Sequence, residues 1–232
     1  MLGLSKRSDL KELLDQNNIP AEDVILNMKE LNTINTYLGG HSITLQGFKE
    51  ILGSRKSISV LEIGSGGGDN LRALYTYCLH QGITGTWYGI DMNFDIVEFA
   101  KQQQPFVTFT CANYRDVVLS EKPDIIFSSL FCHHFRNEEL VEQLLWMKQH
   151  AKLGFFINDL HRHSLAFYSI KILTRLFSKS YLVKHDAPLS VARGFKKQEW
   201  QHIFAQTSMK TLTIKWKWAF RHLIVFKHEH DR

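Results

Sequence analysis

Cysteine is scarce in this chain of 232 residues, which contains only Cys78, Cys111 and Cys132. Their wide separation rules out a C-x-x-C metal knuckle, and their odd number does not suit a disulfide framework, so a reducing compartment follows. No apolar run approaches the roughly 20 residues that span a bilayer. The opening "MLGLSKRSDLKELLDQ" lacks the long apolar core of a signal peptide, and the expectation is a cytoplasmic protein. Massed charge is also lacking. The formal charge is +5 and the isoelectric point is near 9.0, but lysines and arginines are spread along the chain. That distribution favours a solvated basic surface over a groove that tracks phosphates, and nucleic acid is not expected as a partner. No repeat or low-complexity tract is visible.

What is present is enough apolar residue, 44%, to bury one large α/β core. Residues 8–54 read as helical. "SDLKELLDQ" opens on a serine cap, and "PAEDVILNMKELNTINTYL" has Pro20 in the first turn and stops at Gly39-Gly40. From residue 57 apolar runs alternate with helical periodicity, the mark of βαβ units and a parallel sheet. Strands are predicted at 57–63, 86–90, 107–111, 124–129 and 154–159, with helices near 70–80, 93–103 and 138–152. Only a short helical turn fits after the third strand. After residue 159 the rhythm breaks into a long stretch, 161–193, before a helix near 196–206 and two last strands at 211–218 and 222–227.

The densest local signal is "VLEIGSGGGDNL", in which a buried strand runs into Gly64, Gly66, Gly67 and Gly68. Glycines at such a junction let backbone approach a ligand closely, and the following helix presents free N–H groups. A phosphate-binding P-loop requires Gly-Lys-Ser/Thr, and Gly68 is followed by Asp69-Asn70, so that reading fails. A dinucleotide fingerprint would place its third glycine at position 69, where Asp69 suits a pyrophosphate poorly; this reading is weakened rather than removed.

The pattern Glu62-x-Gly64-x-Gly66-x-Gly68 after a strand resembles motif I of the class I S-adenosylmethionine-dependent methyltransferases. Three further stretches in the expected order carry the same resemblance: "WYGIDMN", "FTCANYRDV" and "PDIIFSSLFCHHFRNEEL". It implies a Rossmann-like α/β fold with a seven-stranded, mostly parallel sheet whose last strand is antiparallel. It also implies a helical cap over residues 1–54, the cofactor domain over 55–232, and a substrate-lid insertion at about 161–195. S-adenosyl-L-methionine is the implied cofactor. Its binding residues would be Glu62, Gly64, Ser65, Gly66, Gly68, Asp91, Met92, Asn113, Tyr114 and Ser129. Within that set Glu62 faces the ammonium group, Asp91 the ribose hydroxyls, Met92 the adenine and Asn113 its amino group, the last standing where the family often has Asp.

Methyl transfer from a sulfonium is an in-line displacement governed by alignment and by the protonation state of the acceptor, so no metal ligand is assigned. Histidine is the natural base for a hydroxyl acceptor near neutral pH. His133 and His134 follow the fourth strand and His161 the fifth, and both places are expected to border the transfer pocket, with His133 favoured. The segments "TINTYLGGH", "INDLHRHSLAFYSIKILTRLF" and "DAPLSVARGFKKQEW" resemble small-molecule methyltransferases of quinone and aromatic-polyketide pathways. This implies a small aromatic or lipophilic acceptor and favours O-methylation over C-methylation. The apolar face of "LAFYSIKILTRLF" is open to three readings: pocket wall, ordinary core, or peripheral contact with a membrane. A nucleic-acid or protein methyltransferase, or an idle cofactor-binding partner, stays as the alternative; the former usually carries Asn/Asp-Pro-Pro-aromatic where this chain has "SSLFCHHF".

Overall fold

The structure, a computed structural model, describes residues 4–16, 18–209 and 211–229. The expected cap and cofactor domain therefore begin and end, at residues 1–3 and 230–232, outside the described residues. Seven strands form one sheet in the order β3-β2-β1-β4-β5-β7-β6. They are β1 (Ser57–Ile63), β2 (Thr84–Asp91), β3 (Val107–Cys111), β4 (Ile125–Ser129), β5 (Gly154–Leu160), β6 (Leu212–Lys217) and β7 (Arg221–Lys227). Strands β1 to β5 are mutually parallel, and β7 is antiparallel to both β5 and β6.

Side-chain alternation explains why the sheet is covered on both faces. Ile58 and Val60 of β1 join Phe127, Phe156 and Val225 in one core. Leu61 and Ile63 join Ile126, Phe155 and Ile157 in the other. The first core is closed by α2 (Gly40–Leu52), α3 (Asp69–His80) and α4 (Phe94–Gln103), through Phe48, Leu71 and Val97. The second is closed by α5 (Asn137–His150) and α8 (Lys197–Ala205), through Leu140, Leu144 and Trp200.

Helices α1 (Ala21–Tyr37), α6 (Ser164–Phe177) and α7 (Tyr181–Arg193) lie beyond this three-layer body and meet through Ile34, Leu38, Phe167, Ile170 and Val191. The stretch 161–193, where the strand–helix rhythm breaks, thus holds a helix pair with Pro188 buried inside α7.

One expectation is corrected. The segment opened by Ser8 is not helical apart from a single 3-10 turn, Leu13–Asp15. Its backbone is committed elsewhere: Ser8 N–H donates to Ala192 O at 3.1 Å, and the N–H groups of Leu13 and Leu14 donate to the Asp186 carboxylate at 2.8 and 3.0 Å. Tertiary partners override a local helical pattern here. Residues 4–16 form a strap against α7, held by Arg162 at Leu4 O and by Arg193 at Leu10 O.

Candidate active site

Between β1 and β4 the strand order reverses direction, and an open parallel sheet has its binding crevice at the carboxyl ends of the strands flanking such a switch. A cavity of about 1030 Å³ lies there, lined from the glycine loop through Asp91 and His133 to α1, α6 and α7.

The glycine loop is shaped by two different demands. Gly64, at φ +65°, has no room for a Cβ, which would lie 2.1 Å from Phe131 Cδ2. Gly68, at φ +74°, caps α3 in the left-handed region, and a Cβ there would meet Phe109 at 2.7 Å. Gly66, at φ +51°, differs: its nearest neighbour would be Met28 Sδ at 3.7 Å, so that position is free of protein and lines the cavity. Two glycines serve packing, and one leaves room for a ligand.

Glu62 is fully buried beside this loop. Asn70 Nδ2 donates to its Oε1 at 3.1 Å, while Oε2 and the nearby Ser65 Oγ have no partner within the protein. Burial, reinforced by Asp69 and Asp91, pushes the Glu62 carboxyl well above the usual carboxylate range. An unmatched buried acid of this kind suits a cationic or hydrogen-bonding ligand group. Asp91 ends β2 with both oxygens engaged: Gly66 N–H donates to Oδ2 at 2.9 Å and Asn93 N–H to Oδ1 at 3.0 Å. Burial raises its pKa despite these bonds, and each oxygen keeps a second lone pair.

Across the cavity, β4 is followed by Leu130 at φ +53°, a conformation rare for a non-glycine residue, whose N–H donates to Asn158 O at 2.9 Å. The turn sends Phe131 over Gly64 and starts the 3-10 turn Cys132–His134. His133 is buried there with its Nδ1 2.8 Å from Asp159 Oδ1 and its Nε2 3.5 Å from Glu12 Oε1. Burial disfavours charge on the ring, but Asp159 and Glu12 outweigh it and raise the pKa to about 9. Both carboxyls move the other way: burial would raise them, and the imidazole holds them below the ordinary range. His134 lies beside this pair, Nδ1 3.3 Å from Asp15 Oδ1. The carbonyls of His133 and His134 accept from Arg193 Nε and Nη2 at 3.0 and 2.8 Å, and Arg7 reaches the carbonyls of His133 and Phe135. Glu12, His133 and His134 bring ligand-type atoms within 4.8 Å of one another.

A family described as a methyltransferase domain matches residues 60–154, the span from β1 into β5. The plantazolicin methyltransferase BpumL, solved in complex with SAH, is similar over 90% of this chain and 96% of its own, with a TM-score of 0.66 at 13% identity. A SAM dependent methyltransferase from Aquifex aeolicus aligns over 90% and 98%, with a TM-score of 0.62 and 18% identity. Human N-acetylserotonin methyltransferase in complex with SAM aligns over 89% of this chain and 56% of its own, at 0.62 and 14%. The curated proteins contain no match. This is a class I methyltransferase fold.

Within the methyltransferase fold, the expected cofactor residues gather around one cavity: Glu62, Gly64, Ser65, Gly66, Asp91, Met92, Asn113, Tyr114 and Ser129 all line it, whereas Gly68 is withdrawn beneath Phe109. Met92 is exposed at the cavity mouth. Asn113 uses its Oδ1 to cap a 3-10 turn by accepting from Arg115 N–H, which leaves its amide NH₂ uncommitted to that bond. Tyr114 is buried edge-on against Phe131 and Trp146. Ser129 Oγ accepts from Asn158 Nδ2 at 3.4 Å.

The histidines separate. His133 and His134 line the cavity, but His161 does not. It packs at a ring-centroid distance of 4.9 Å from His222, and its Nδ1 accepts from Trp216 Nε1 at 3.1 Å, on the side of β6 and β7. Burial and neighbouring His163 lower its pKa. The sequence reading missed Glu12 and Asp159. For Asp159 a signal exists in "GFFINDL", where an otherwise buried apolar strand ends on two polar residues. Glu12 gives none, since in "SDLKELLDQ" it reads as a solvated helix face.

Proposed function

We propose that this chain is an S-adenosylmethionine-dependent methyltransferase that methylates oxygen on a small lipophilic acceptor, of phenol, quinol or polyketide-like chemistry, in the cytoplasm. The observation that carries the reading is one cavity with an unmatched buried acid, Glu62, at the glycine loop on one wall and a carboxylate-held imidazole, His133, on another. Bound S-adenosylmethionine would supply the methyl group, its C–S bond breaking as the acceptor O–C bond forms.

Glu62 would hold the ammonium group through its unpartnered Oε2, and Asp91, which fixes the loop through Gly66, would offer its remaining lone pairs to ribose hydroxyls. Met92 and Asn113, which line the same cavity, would border the adenine. Asp159 holds the Nδ1 side of His133; once the Nε2 proton of the charged ring has passed to the facing Glu12 carboxylate, the freed Nε2 takes the proton of the acceptor hydroxyl. That nitrogen faces Glu12 in the acceptor-free arrangement; an acceptor hydroxyl taking Glu12's place removes one of the two contacts that keep the ring charged. His134 borders the same space, while His161 serves the packing of β6 and β7. The cap, 1–54, and the insertion, about 161–195, enclose the acceptor as a lid, and their apolar contribution includes Leu31, Ile34, Leu38, Ile170 and Leu173.

Calorimetric titration with S-adenosylmethionine, S-adenosylhomocysteine and nicotinamide dinucleotides tests the cofactor assignment, with binding expected for the first two only. Turnover against a panel of phenols and quinols tests the acceptor class. Cofactor binding with no turnover on any acceptor would favour an idle binding partner.

A further inference from the structure

Helix α6 presents two faces. Phe167, Ile170 and Thr174 are buried against the body, and Ala166, Ser169, Ile170 and Leu173 line the cavity. The remaining surface carries large apolar side chains that touch solvent: Leu165, Tyr168, Ile172, Leu173, Leu176 and Phe177. Leu176 is 70% and Phe177 77% exposed. At 3.6 residues per turn Leu165, Ile172 and Leu176 fall in one line along the helix. A soluble protein exposes single apolar residues freely, but a contiguous stripe marks a contact surface.

Two features identify what covers it. The flank beyond Tyr168 is basic, carrying Lys171 and Arg175, and Lys179 follows the helix; Arg175 and Lys179 are exposed. α6 itself contains no acid; the Glu30 carboxylate of α1 lies at the foot of the helix, accepting from Ser178 Oγ and Lys179 N–H, and the chain is +5 overall. A second copy meeting this stripe symmetrically would bring the same cations together, whereas an anionic lipid surface complements them. The second feature is continuity. Leu173 is both exposed and part of the cavity wall, so the stripe reaches the cavity through Leu173, with Ser169 the one polar side chain on that line.

We propose that the outer face of α6 is a membrane-docking surface that lies in the headgroup region of an anionic bilayer and admits lipophilic acceptors to the cavity past Leu173. No helix among the described residues is long and apolar enough to cross a membrane, so the contact is peripheral. Delivery of the acceptor rests on the methyltransferase reading; docking itself does not, and the two are measured separately.

The test is co-flotation of the intact chain with vesicles of phosphatidylcholine containing 30 mol % phosphatidylglycerol, compared with phosphatidylcholine alone. Binding is expected to the anionic vesicles, weakened at least tenfold without the anionic lipid or in 0.5 M salt. The double variant Leu176→Ser, Phe177→Ser and the charge variant Arg175→Glu, Lys179→Glu should each lose it by a similar factor, with S-adenosylhomocysteine affinity unchanged. Since all four side chains are exposed, these variants test the surface and not the fold. Failure of the intact chain to float with anionic vesicles, or flotation that both variants retain, overturns the proposal. So does sedimentation showing a dimer that the Leu176→Ser, Phe177→Ser variant dissolves, because the stripe then serves self-association. Loss of cofactor affinity in the intact chain would overturn the methyltransferase reading instead.

Discussion

His133 Nδ1 lies 2.8 Å from Asp159 Oδ1 inside the protein, joining a residue that follows β4 to one on the neighbouring strand β5. The pair fixes a pH dependence of stability. The folded ring has a pKa of about 9 against 6.5 for a free imidazole, so its contribution is complete below about pH 6.5 and is lost as the pH rises through 9. A shift of this size corresponds to at most about 3 kcal/mol. Thermal melts should fall between pH 6.5 and 9.5, and His133→Gln should flatten that slope. The carboxyls behave oppositely: Asp159 and Glu12, held low, contribute above the ordinary carboxylate range and lose that contribution in acid. A slope unchanged in His133→Gln would show that the ring is neutral.

Replacing His133 with Ala should lower turnover by about 100-fold or more while S-adenosylhomocysteine affinity stays nearly constant, as for loss of a general base. Full turnover in the variant would leave the residue a packing role only.

Glu12→Gln removes one of the two acids that charge the ring. The His133 imidazole, followed by NMR titration, should then ionise at lower pH than in the parent chain, with Asp159 still holding the other nitrogen. An unaltered titration would place Glu12 outside the pair's electrostatics.

The glycines of the loop should separate in stability. Gly64→Ala sets a Cβ against Phe131 and should cost several kcal/mol of stability. Gly66→Ala meets open space and should cost only the roughly 1–2 kcal/mol of left-handed backbone. Gly66→Val should abolish cofactor binding, since its branches fill the ligand's space. Denaturant melts and titration of the two alanine variants decide this; equal stabilities would refute the division.

Asp91→Ala should weaken the cofactor by roughly 1.5–3 kcal/mol, the scale of lost charged hydrogen bonds. Because the same carboxylate holds the N–H groups of Gly66 and Asn93, melting temperature should drop as well. Affinity indistinguishable from the parent would reject the ribose role.

Much of this was legible in residues 57–160, where apolar alternation and helical periodicity agree with the tertiary outcome. The glycine run and the Asp that ends β2 act through local backbone geometry, which a sequence displays. What escaped are contacts across long separations. Glu12 reads as a solvated position until His133 is set beside it, and Ser8 reads as a helix cap until Ala192 takes its N–H. His161 and His133 both follow strands, but β7 pairs beside β5 and turns His161 toward Trp216. Only the sheet order reveals that.

The strap has a consequence for the order of assembly. Arg162 Nε donates to Leu4 O across a separation of 158 residues, and Arg7 Nε donates to Arg193 O across 186. Loop closure of that span is slow and entropically late compared with the local pairings of the sheet. During synthesis this strap must therefore wait for α7 to emerge, so the glycine-loop half of the crevice can form well before the imidazole acquires its second acid.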